Sequence, residues 1–206
     1  MTLVRNITII LIFLIGFSIL LYSSNQTGQN NLTEERATQL VLENAVQTLP
    51  GNSFTVLSVQ KSNESGKWDV QLKAVKSDPT CPNVLIRSYT VPPFDNYRDE
   101  KRVVNCKVSG NLVYEEEAII ASKENADVKN AISQGATSQA VKITQSSYPV
   151  QSKCSNCFYA QFLNGLISKN AALKTKTFFI VEWKSDYSVV LVALDEQGKF
   201  IGQKVS

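Results

Sequence analysis

The chain has 206 residues, 43% hydrophobic and 19% charged, with 21 basic side chains against 18 acidic ones. This is a globular composition, long enough for one or two domains that each bury a core. Setting aside Arg5, the single charge before Glu34, leaves 20 basic against 18 acidic residues, a balance that implies no nucleic-acid partner. Histidine is absent, which removes the commonest general base, the commonest zinc ligand and every Ser-His or Cys-His nucleophile pair. No GxSxG, Gly-rich phosphate loop or paired acidic motif occurs, so neither a catalytic residue nor a cofactor is implied.

Residues 7–22 (ITIILIFLIGFSILLY) are uncharged and almost wholly apolar, and Arg5 precedes them. As a helix they span ~24 Å, and Leu3, Val4 and the interfacial Tyr22 extend them toward a thin bilayer. Residues 1–24 are therefore expected to anchor the chain in a membrane through 7–22, with the N-terminus cytoplasmic and the body outside. A cleaved signal peptide is the alternative, although Leu21-Tyr22-Ser23 is a mediocre cleavage site; both readings export the body. Residues 25–32 fall in a polar, Gly-containing tether. Asn25, Asn31 and Asn63 head glycosylation acceptor patterns that suit an exported chain.

Helical spacing begins at Asn31-Leu-Thr-Glu-Glu, a cap followed by first-turn acids, and continues through Ala37, Leu40, Val41, Ala45 and Leu49. Pro50-Gly51 ends it. Strands are predicted at 54–59, 67–75, 83–91 and 101–108, with breakers at Ser65-Gly66 and Asp78-Pro79. The order then restarts. Glu115-Glu-Glu opens a second helix, and 125–135 reads as a third, stopped by Gly135. Further strands are predicted at 139–144, 158–163, 177–183, 188–194 and 199–205. The fold class is α+β: an N-terminal transmembrane helix, then two helix-plus-antiparallel-sheet modules at 33–112 and 113–206, each with one helical layer.

Thr33-Glu-Glu-x-Ala37 followed by Trp68-x-Val70 resembles the PepSY module, a small helix-on-sheet domain of exported prokaryotic proteins. The second half is similar to it through Glu117-Ala-Ile-Ile-Ala, Asp127-Val-Lys, Trp183 in a strand, and Val190 to Gly198-Lys199. The resemblance implies a non-catalytic binding or restraining role, with a protease or a subunit of a membrane complex as partner. It transfers no catalytic residues, and the four cysteines depart from its basic pattern.

Four cysteines in an exported chain read as two disulfides. Cys81 and Cys106 flank a strand-loop-strand segment whose antiparallel pairing brings them face to face. Cys154-Ser-Asn-Cys157 is the sharpest chemical candidate. It reads as a disulfide pinning a loop, as a redox dithiol if its first thiolate meets a helix N-terminus, or as half of a zinc site. The redox reading makes the chain a membrane-tethered thiol-disulfide oxidoreductase. A third class of function is an accessory or assembly subunit of a membrane complex.

Glu115, Glu116 and Glu117 suit a helix's first turn, and Asp99-Glu100-Lys101-Arg102 reads as solvated surface. Residues 128–181 hold six lysines (Lys129, Lys142, Lys153, Lys169, Lys174 and Lys176) and no acid. Sharing a face, they would meet an acidic partner or an anionic surface; scattered, they are ordinary surface charge. Phe94 and Tyr97, in the Pro-rich segment after Tyr89, are the second candidate contact surface.

Overall fold

A computed structural model describes residues 32–64, 66–78 and 81–206. The expected membrane segment, 7–22, and most of the tether lie outside these residues. Among the described residues no helix is long and apolar enough to cross a membrane. Two compact units are present: 32–74 with Ile86–Asp99, and Val75–Leu85 with Glu100–Ser206. Residues 100–112, assigned to the first module from sequence, therefore pack with the second unit.

In the first unit helix α1 (Glu34–Thr48) starts where Thr33 Oγ1 accepts the Arg36 amide at 3.2 Å, with Glu34 and Glu35 facing the helix dipole. Ala37, Val41 and Ala45 recur every fourth residue and are fully buried. Their small side chains form the stripe that meets the sheet. Gly51, at φ +77°, turns the chain into strand β1. The sheet runs in the order β1 (Ser53–Lys61), β2 (Trp68–Lys76), β3 (Asn83–Val91) and β4 (Tyr97–Lys101). Asp69 bonds Thr90 and Gln71 bonds Ser88, so the partners advance along β2 as they recede along β3, which is antiparallel pairing. The helix stripe covers Val70, Leu72, Tyr89 and Val91, with Phe54, Val59, Trp68 and Phe94 packed around them.

In the second unit β5 (Val103–Val104) and β6 (Lys107–Val108) form a minimal hairpin. Its two turn residues, Asn105 and Cys106, both have positive φ, 51° and 58°, the pattern of a type I′ turn. This corrects the single strand expected over 101–108: the chain leaves the first sheet at Lys101 and turns at Asn105, a residue that tolerates the left-handed conformation.

Helices α2 (Glu115–Ser122) and α3 (Ala126–Ser133) follow, the latter capped by Asn125 Oδ1 on the Asp127 and Val128 amides at 2.9 and 3.1 Å. A second antiparallel sheet has the order β10-β9-β8-β7, with β7 (Thr137–Ile143), β8 (Phe178–Lys184), β9 (Val189–Asp195) and β10 (Phe200–Val205). Between β7 and β8 the chain makes an excursion through a short α4 (Tyr148–Gln151), α5 (Ala160–Lys169) and a 3₁₀ turn (Ala171–Thr175).

The sheet is covered on both sides. Helices α2 and α3 pack on Phe179, Val181, Trp183, Val190, Val192 and Leu194. Helix α5 and the 3₁₀ turn pack on Ile143, Phe178, Ile180, Leu191 and Ala193. The expectation of one helical layer per sheet thus fails in the second unit, as does the strand expected at 158–163, which falls at the start of α5. Phe158, Ala160 and Phe162 alternate like a strand, but Phe162, Leu163, Leu166 and Ile167 carry the apolar face onward at helical spacing. Strand β8 bears the mark of double burial: Phe178 to Trp183 are all buried.

Candidate functional site

Both cysteine pairs are disulfides. Cys81–Cys106, the pair expected from the strand-loop-strand segment, joins the start of β3 to the β5–β6 turn with Cα atoms 5.3 Å apart. It holds Cys106 in a left-handed conformation that costs a non-glycine residue about 1–2 kcal/mol. Cys154–Cys157 closes a turn between α4 and α5, with Cα atoms 5.6 Å apart. Both sulfur-bearing residues are half-buried, and Cys157 packs against the α5-side core. Helix α5 begins only at Ala160, whose amide bonds the Cys157 carbonyl at 3.0 Å. Neither cysteine lies within the helix's first turn, where the redox reading needs the first thiolate. Among the described residues no group of three His, Cys, Asp or Glu side chains is placed to hold a metal ion.

The lysines divide between the two sides of the second sheet. Lys129 is on α3, with its ammonium 3.7 Å from Glu124. Lys142 leans the same way, donating to the Val113 carbonyl at 3.0 Å and standing 5.8 Å from the Phe179 ring centroid. Lys153, Lys169, Lys174 and Lys176 are exposed along the excursion that carries α5 on the opposite side. Phe94 is half-buried against the first core. Tyr97 is 38% exposed, and the Arg87 guanidinium lies 3.8 Å from its ring centroid.

That guanidinium is buried, and it pairs with Asp99, which is exposed as its charged neighbours suggest. Arg87, 3% exposed, donates to both Asp99 oxygens at 2.6 and 2.8 Å and to Thr48 Oγ1 at 2.6 Å. Asp99 holds it charged against the burial that opposes charge. Burial beside it raises the pKa of Tyr89, whose hydroxyl donates to Asn44 on α1 at 3.0 Å. In the second unit Glu117 is fully buried. Its carboxylate accepts from Arg102 Nε at 2.7 Å, from the Val113 amide at 2.6 Å and from the Tyr114 amide at 3.3 Å. The last bond is the acidic half of a capping box at the start of α2. Arg87 had a signal in sequence: it occupies the inward side of β3 with Tyr89 and Val91, a place an arginine takes only with a partner. Both networks hold helices to their surroundings.

A recess of the second unit, about 540 Å³, lies over Trp183. Trp183 is 1% exposed, and its indole N–H donates to Ser122 Oγ at 2.8 Å, which itself donates to the Ile119 carbonyl at 2.7 Å. The ring is thereby fixed as a floor. Val75, Pro82, Ile119 and Ile132 form apolar walls, and Asp78 and Glu116 are the ionisable side chains that line them. Lys123 stands 5.7 Å from the indole centroid. Burial lowers its pKa, while the Asp78 carboxylate pulls it back up. An apolar hollow of this size suits a large apolar side chain. No protein-family profile, curated protein or solved structure matches the chain. The site must be read from its own geometry.

Proposed function

We propose that this chain is a membrane-tethered, extracytoplasmic binding protein that acts without catalysis and grips a segment of a partner protein in the recess over Trp183. The observation that carries the reading is that recess: apolar walls, a fixed indole floor and two lining carboxylates. It favours a partner segment with a large apolar residue. The apolar residues 7–22 supply the tether, and two disulfides suit an oxidising compartment. The PepSY-like pattern adds a role for the partner, a protease under restraint or a subunit of a membrane complex. The test is co-purification from solubilised membranes with wild-type chain and with Ile132→Glu, which places a charge in the apolar wall. A specific protein recovered with the wild type and lost with the variant supports the reading; identical recoveries, or none, refute it.

A further inference from the structure

A second surface lies on the opposite side of the same sheet. Strand β10 ends the order β10-β9-β8-β7, and no strand among the described residues pairs with its outer edge. Val189 and Ser206 exchange both backbone bonds, at 2.8 and 3.0 Å. Alternation along an antiparallel pair then gives Lys204 and Gly202 the next bonds to β9 and turns the N–H and C=O groups of Gln203 and Val205 outward. Beside this edge, α5 and β10 enclose a groove of about 340 Å³ with Phe162, Leu166, Leu173 and Ile201 in its walls and Lys169 and Lys204 as its ionisable residues. No acid lines it.

Two glycines shape the groove. Gly202 lets α5 approach the strand, since a Cβ there would lie 2.2 Å from Leu166 Cδ2. Gly165 is different. It occupies the interior of α5, where glycine is the worst residue after proline, yet a Cβ on it would meet nothing within 4 Å. Neither packing nor a positive φ asks for glycine at this position. Gly165 lines the groove, and a large side chain there would narrow it.

We infer that the groove docks an extended, acidic segment of a partner protein, which adds to the outer edge of β10 as a further strand. Outward groups on Gln203 and Val205 bond its backbone, an apolar side chain enters between α5 and β10, and its carboxylates meet Lys204 and Lys169. Lys169 also suits the last turn of α5; Lys204 has no such second reason. The bulge between Phe200 and Gly202, with Lys204 on the edge, discourages pairing with an arbitrary strand and favours one that brings negative charge. This inference rests on the binding-protein reading but uses a different face, so its failure leaves the Trp183 recess, tested by Ile132→Glu, unaffected.

The experiment measures fluorescence anisotropy of labelled peptides on the full chain in detergent. The peptides are Thr-Val-Thr-Glu repeats, the same repeats with Gln or Lys for Glu, and the Glu peptide N-methylated at alternate residues. The Glu peptide is expected to bind roughly tenfold tighter than the Gln peptide and tighter still than the Lys peptide. N-methylation should abolish binding. Lys169→Glu with Lys204→Glu should reverse the order. Gly165→Leu should weaken Glu-peptide binding at least about tenfold while its melting temperature stays level or rises. Equal binding of all peptides, binding of none, or a folded Gly165→Leu chain that binds as the wild type does would overturn the inference.

Discussion

Replacing Glu117 by leucine should be among the most damaging single changes in the second unit. The side chain is fully buried and its partner Arg102 is 13% exposed, so little solvent is at hand to take over either charge. Leucine fills similar space but strands the Arg102 guanidinium and removes the acceptor of the Val113 and Tyr114 amides. Breaking one side of a buried pair in this way costs about 3–5 kcal/mol. Arg102 keeps the Asn111 carbonyl at 2.7 Å and Glu100 at 3.3 Å, which points to the lower part of that range. Removing the stranded cation as well, in Arg102→Met with Glu117→Leu, should recover part of the loss, because the double variant no longer buries an unpaired charge. Urea unfolding followed by Trp183 fluorescence in a Trp68→Phe background reads this unit alone. A loss below about 1 kcal/mol for Glu117→Leu, or a double variant as unstable as the two single losses added, would refute the reasoning.

In the first unit, Asp99→Ala should cost about 3 kcal/mol by leaving Arg87 without its carboxylate, read by urea unfolding through Trp68 in a Trp183→Phe background. Trp183→Phe should itself lose about 1–2 kcal/mol with the bond to Ser122, and a fully neutral result in calorimetry would contradict the fixed floor of the recess. Replacing Cys81 and Cys106 together by serine should lower stability by about 3 kcal/mol, and Cys154 with Cys157 by about 2, since the first closes the longer loop; denaturant midpoints of the two variants give the order. The Cys154–Cys157 bond should stay oxidised across a glutathione series followed by alkylation and mass spectrometry. Ready reduction and exchange with a model disulfide would instead move the thiol oxidoreductase reading ahead.

Much of the architecture was legible because its signals are local. Caps and first-turn acids marked α1 and α2, and Gly51, Gly66, Gly135 and Gly198 all turn the chain with positive φ near element ends. Alternation located most strands to within two residues. What failed needed information from across the fold. Helix α5 was read as a strand because the pattern was followed only to Leu163, short of Leu166 and Ile167. The second helical layer of the β7–β10 sheet depends on that same helix. The unbroken apolar run from Phe178 to Val181 is its trace in the sequence. The candidate site was less legible. Asp99, Glu100 and Lys101 are exposed as their charges suggest, but the partners that Asp99 and Arg102 reach, Arg87 and Glu117, are buried and lie 12 and 15 residues away. The recess over Trp183 draws on Val75, Asp78 and Pro82, on Glu116, Ile119 and Ile132, and on Trp183 itself, a convergence that no local pattern records.

Whether the recess over Trp183 grips a partner can be read by photocrosslinking in intact cells. A benzophenone amino acid placed at Thr137, on the rim of the recess, is compared with the same label at Lys107 on the β5–β6 hairpin. A gripped partner gives one discrete adduct from Thr137, absent from Lys107 and abolished by Ile132→Glu. Adducts of equal yield from both positions, or a Thr137 adduct indifferent to Ile132→Glu, would contradict it.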